Sequence, residues 1–143
     1  MKSLITIIIH KDVSDLKAEL VKALEPHRLN EDNLDSIKGH HWDYWYFPES
    51  PNLIDTEIKK RFSEIEDDIF NNTSYVKNLP SNYVTSGIID LSGRWIDIQD
   101  FGWKMMNEPG PENEEALRKW KDKQNKVFDG NSEHICIQII IHN

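Results

Sequence analysis

Hydrophobic positions along this chain fall into runs whose spacing changes from segment to segment, and that spacing is the main signal of secondary structure. Leu4-Ile5-Thr6-Ile7-Ile8-Ile9-His10 is β-branched and almost continuously apolar, the pattern of a strand buried on both faces. Glu133 to His142 repeats that character at the far end. Between Asp12, a candidate cap, and Pro26, a stop, Val13, Leu16, Leu20, Ala23 and Leu24 recur at helical spacing. The aromatic run from His40 to Pro48 predicts a strand that ends at the proline. Ile54, Ile58, Phe62, Ile65 and Ile69 fall within an arc of about 80° at 100° per residue, which predicts one amphipathic helix. The polar stretch Asn71 to Asn82 reads as a loop. Tyr83 to Asp90 and Arg94 to Gln99 read as strands of a hairpin around Leu91-Ser92-Gly93. Ala116, Leu117, Trp120, Val127 and Phe128 line a third helix, which Gly130 is placed to terminate.

The predicted order is β-α-β-α-β-β-α-β. It implies one α+β domain over residues 1–143, with a single mixed or mainly antiparallel sheet and helices packed mainly on one face. The two terminal apolar strands are the natural sheet centre, because edge strands usually carry charge or proline. Ile5 to His10 and Ile137 to His142 agree at five of six positions, so these strands are expected to play matching structural roles.

Composition narrows the function classes. Twenty-five acidic residues against seventeen basic ones give a formal charge of −8. That balance argues against a nucleic-acid binder, whose affinity comes from neutralising phosphates, and against docking on an anionic membrane. No run approaches the roughly twenty apolar residues that span a bilayer, and His10-Lys11-Asp12 closes the first run too early for a signal peptide. Cys136 is the only cysteine and sits among isoleucines, so a buried, inert thiol in a reducing cytoplasm is expected. The charge is uneven. Glu49 to Phe70 carries seven acids against three bases, whereas Glu108 to Phe128 balances five with five.

Candidate chemistry is sparse. His10, His27, His40, His41, His134 and His142 show no zinc-ligand spacing, although His10 and His142 would meet if the terminal strands ran parallel. Asp90, Asp97 and Asp100 flank the hairpin and are the acids on which a small metal-dependent hydrolase or nuclease would rest. Gln99 stands where the familiar acid-x-Lys pattern needs its lysine, and Asp90 serves equally well as a turn former. Nucleophile elbow, phosphate loop and dinucleotide fingerprint are all missing from the sequence. Neither a cofactor nor a metal is expected, and catalysis is the less favoured reading.

Aromatic residues are the stronger signal, because Trp and Tyr are enriched where binding energy concentrates. Trp42, Tyr44, Trp45, Trp95 and Trp103 are the candidate anchors, and Glu57, Glu64, Asp68, Asp97 and Asp100 the candidate charge contacts. The alternative role for such rings is core filling, favoured for Trp42 and Trp120. Val84 to Trp95, leading on to Phe101-Gly102-Trp103, resembles a strand, turn, aromatic strand and Gly-Trp pattern in small bacterial α+β proteins of the toxin-immunity or mobile-element type. The resemblance implies binding rather than catalysis. With the charge, it leads to the expectation of an acidic, monomeric protein that neutralises a basic partner such as a toxin. A structural protein of a phage or mobile element that self-associates through its aromatic strand is a further alternative.

Overall fold

The two isoleucine-rich terminal strands lie side by side in the centre of the sheet. In a computed structural model that describes residues 2–29, 42–49, 53, 55–62, 67–104 and 110–142, β1 (Lys2–Ile9) pairs antiparallel with β6 (Ile135–His142) along its whole length. The register sets Lys2 opposite His142 and Ile9 opposite Ile135. His10 and His142 therefore sit at opposite ends of the pair, and the meeting that a parallel arrangement would have allowed does not occur.

Among the described residues, six strands form one mixed sheet in the order β2-β6-β1-β4-β5, with β3 also pairing β6. β2 is Tyr44–Tyr46, β3 Thr73–Tyr75, β4 Gly87–Ile89 and β5 Trp95–Asp97. Only β1 and β4 run parallel; the other pairs are antiparallel. Helix α1 (Leu16–Leu24) follows β1, α2 (Thr56–Arg61) and α3 (Asp67–Phe70) precede β3, and α4 (Pro111–Gly130) precedes β6. The chain is thus an α+β fold on a single mixed sheet.

Alternation along the strands divides the core in two. Ile5, Ile7 and Ile9 of β1 and Ile135, Ile137, Ile139 and Ile141 of β6 pack beneath Leu16, Leu20 and Leu24 of α1, Ile58 of α2 and Ile69 of α3. On the opposite face Ile8, Ile88 and Ile96 pack against Trp120 of α4. Three of the four α-helices among the described residues share one face. Trp120 is fully buried and its indole N–H donates to the Thr85 carbonyl at 2.6 Å, so its polar edge is matched as burial requires.

Several element boundaries differ from the sequence-based expectation. Asp15, not Asp12, caps α1 by accepting from Ala18 N–H at 3.1 Å, and Pro26 lies in a 3₁₀ turn that carries the chain on from α1. The long helix expected from Ile54 to Ile69 breaks at Phe62, whose backbone is not helical, giving α2 and α3; Ile54 and Ile65 lie outside the described residues. The loop expected at Asn71–Asn82 contains β3. The hairpin turn stands where expected, but its strands are only Gly87–Ile89 and Trp95–Asp97: Asp90 N–H donates to Arg94 O, Gly93 N–H donates to Asp90 O, and Gly93 takes φ +85°, a conformation that glycine adopts without strain. Gly130 lies within α4, and the helix stops at Asn131.

Candidate functional site

Among the described residues β5 is an edge strand, and it and the turns at either end of it hold three of the six nominated acids. Asp90 Oδ1 accepts from Ser92 N–H, Ser92 hydroxyl and Arg94 N–H, so its carboxylate ties the hairpin turn. At the other end Asp97 Oδ1 accepts from Gln99 N–H at 2.8 Å and Asp100 Oδ2 accepts from Asp97 N–H at 2.9 Å, the reciprocal arrangement of a capping box over the 3₁₀ turn Ile98–Phe101. Asp97 Oδ2 accepts in addition from the Trp95 indole at 2.9 Å. That bond orients a half-buried ring that also lies 5.4 Å from the His27 imidazole. His27 lies 2.8 Å from the Gly93 carbonyl and joins the end of α1 to the hairpin.

Trp103 follows this corner and is half-exposed. The chain just beyond it is clamped to α4, because the buried Asn113 amide accepts from Lys104 N–H at 2.9 Å and donates to Lys104 O at 2.6 Å. Trp95, Asp97 and Asp100 are thus brought together, with Trp103 next in the chain. The hairpin register sets Asp97 opposite Gly87, so Asp90 and Asp97 stand about 10 Å apart along β4. Each carboxylate is turned to a different set of main-chain donors. Among the described residues no three His, Cys, Asp or Glu side chains gather as they would to hold a metal ion.

The remaining nominated residues lie elsewhere. β2 forms the opposite edge of the sheet. Trp42, at 6% exposure, is core, and its indole donates to the Leu24 carbonyl at 2.8 Å; as a partner anchor it is corrected, because almost none of its ring reaches solvent. Trp45 packs against the α1-side core and meets Phe47 edge-on at 5.3 Å. Tyr44 points the other way and is 48% exposed, stacked on His142 at 4.6 Å with Tyr46 beyond it. The His142 imidazole lies 2.8 Å from Asp43, and this hydrogen bond holds the Asp43 carboxyl below the usual carboxylate range. Glu57 on α2 is exposed and 3.7 Å from Lys77, Asp68 on α3 is exposed, and Glu64 lies outside the described residues.

Two arrangements were missed in the sequence. Asp55, 5% exposed, caps α2 by accepting from Glu57 and Ile58 N–H, and its second oxygen accepts from Tyr75 N–H and the Asn78 amide. Burial alone would raise its carboxyl, but bonds from Asn78, Tyr75, Ile58 and Glu57 outweigh it and hold the group below its ordinary value. The signal was available, since Asp55-Thr56-Glu57 precedes an apolar-periodic stretch. His10 and His134 meet at one end of the β1–β6 pair with ring centroids 4.8 Å apart. Only the antiparallel register brings them together.

No helix among the described residues is long and apolar enough to cross a membrane. No known protein family, curated protein or solved structure matches this chain.

Proposed function

We propose that the chain is a protein-binding module of the immunity or inhibitor type, which docks a basic protein such as a toxin at the β5 corner. The observation that carries this reading is the set of Asp90, Asp97 and Asp100 carboxylates, each fixed by main-chain or indole donors beside the half-buried Trp95 ring. Charges held in place by the fold lose little freedom when a partner arrives, so more of their attraction is realised on binding. The net charge of −8 adds long-range steering toward a basic surface, and that steering weakens as salt rises. Trp95, bonded to Asp97, supplies an aromatic anchor among the acids, and Trp103, next along the chain from this corner, a second.

The test is recovery of the tagged chain from its host lysate at low and at high salt, followed by mass spectrometry and sedimentation. The expected outcome is a stoichiometric basic protein released by salt, with the free chain monomeric. A stable homodimer with no bound protein would point instead to self-association, and a partner indifferent to salt would remove the electrostatic basis of the reading.

A further inference from the structure

The turn that joins β1 to α1 is held by two imidazoles. His134 Nδ1 accepts from Lys11 N–H at 3.0 Å, and His10 Nδ1 accepts from Asp12 N–H at 3.1 Å. A ring nitrogen that accepts an N–H bears no proton, so the Lys11 bond requires a neutral His134 ring with its hydrogen on Nε2. We propose that His134, packed against His10, forms a proton-operated clasp, closed over the Lys11–Val13 turn while its ring is neutral and released when it takes up a proton.

Protonation converts the His134 Nδ1 from acceptor to donor and sets it against the Lys11 N–H. It also places a positive ring 4.8 Å from the His10 ring and within reach of the Lys11 charge. The opposing charges are Asp12, whose carboxylate is 3.6 Å from His10 Nδ1, and Glu133. Lys77 belongs to the 3₁₀ turn that packs on this end, where Val76 N–H donates to the His134 carbonyl, and its ammonium is turned to Glu57. Burial is the main cause that lowers the His134 pKa; His10 and Lys11 add to it, while Asp12 and Glu133 oppose. The folded chain therefore takes up this proton less readily than the unfolded one. The clasp contributes fully above the ordinary histidine value of about 6.5 and is lost as pH falls from there through the lower folded value.

Release would reach beyond the turn. The Val13 carbonyl accepts from Arg61 Nη2 at 2.9 Å, and Arg61 Nη1 donates to the Tyr75 hydroxyl at 3.2 Å, which ties α2 and β3 to the same turn. Loss of the clasp loosens the seat of α2 while leaving the β1–β6 ladder intact.

Amide hydrogen exchange by NMR, corrected for the intrinsic pH dependence of exchange, tests this. Between about pH 7.5 and about pH 5, Lys11 and Asp12 are expected to lose protection about tenfold, while Ile7 and Ile137 in the ladder keep theirs. His134→Gln, whose amide oxygen can accept from Lys11 at every pH, is expected to flatten the Lys11 profile. Protection that persists in acid, or the same loss in H134Q, would overturn the proposal. Should H134Q fail to fold, ring nitrogen shifts of the unmodified chain decide it: an unprotonated His134 Nδ1 at neutral pH supports the clasp, and a protonated one overturns it.

Discussion

Thr6 and Gln138 face each other at the middle of the β1–β6 pair, and the Thr6 hydroxyl donates to Gln138 Oε1 at 2.6 Å. They are also the single mismatch in the six-residue echo between the two strands. Ile5 lies opposite Ile139 and Ile7 opposite Ile137, so the two copies of the echo cross at this pair. The Thr85 hydroxyl lies 3.0 Å from that of Thr6, while Thr85 N–H and Gln124 Oε1 are joined at 2.9 Å. A buried polar chain thus runs across the sheet beneath α4, and each of its members is satisfied by another. Thr6→Val strands the Gln138 oxygen and is expected to lower unfolding free energy by about 1–3 kcal/mol in urea titrations. Adding Gln138→Leu removes the stranded group, so the double variant is expected to recover part of that loss, a coupling read from the double-mutant cycle.

Asp55 gives the fold an acid-sensitive point. Its folded pKa is depressed, so its contribution is complete above the unfolded carboxylate value of about 3.9 and fades as pH falls through the folded one. Asp55→Ala removes the α2 cap and leaves four donors unmatched, with an expected loss of about 2–4 kcal/mol at neutral pH. Urea midpoints collected from neutral to acid pH should show the difference between this variant and the unmodified chain narrowing at the acid end.

Gly87 stands where β1, β4 and β5 approach closely. A Cβ there would meet Ile5 Cδ1 at 2.9 Å, Asp97 Cβ at 3.1 Å and the Ile96 carbonyl at 3.2 Å. Two of these neighbours belong to β5, so Gly87→Ala is expected to push the hairpin strand outward and destabilise the chain by about 1–3 kcal/mol. Thermal unfolding of the variant measures the loss, and exchange at Ile96 locates it.

Burial pushes the Cys136 thiol up to about 12, the bonds to Ser74 and Gln138 notwithstanding. At about pH 8 that leaves on the order of one thiol in ten thousand ionised, too few to react at a useful rate. Iodoacetamide is expected to spare Cys136 in the native chain and to label it fully in denaturant, as followed by intact mass. Rapid labelling of the folded protein would contradict the buried placement.

The central strand pair was legible in the sequence because continuous isoleucine runs have few uses other than a strand buried on both faces. The hairpin was legible because Ser92-Gly93 supplies the turn chemistry and Asp90 its side-chain acceptor. β3 was not, since Thr73-Ser74-Tyr75 reads as polar; tertiary partners make it a strand, with Thr73 hydroxyl bound to Ile69 O at 2.6 Å and Ser74 lying against Cys136. The break at Phe62 was hidden for a related reason, because a regular apolar period says which face is buried but not where the backbone interrupts. At the candidate site, residue types were readable and grouping was not. Tyr44 and Trp95 both looked like anchors, yet they stand at opposite edges of the sheet, and Trp42 was drawn into the core by the Leu24 carbonyl.

The most direct measurement of partner docking at the β5 corner is capture of the basic protein by the unmodified chain and by Asp90→Asn, Asp97→Asn and Asp100→Asn combined. Asparagine keeps an acceptor oxygen at each position while removing the charge. The expected result is at least about a tenfold loss of capture at low salt from a chain that still folds, its urea midpoint lowered only by the one acceptor lost at Asp97, toward Trp95 or Gln99. Undiminished capture by the triple variant, with its fold intact, would contradict docking at this corner.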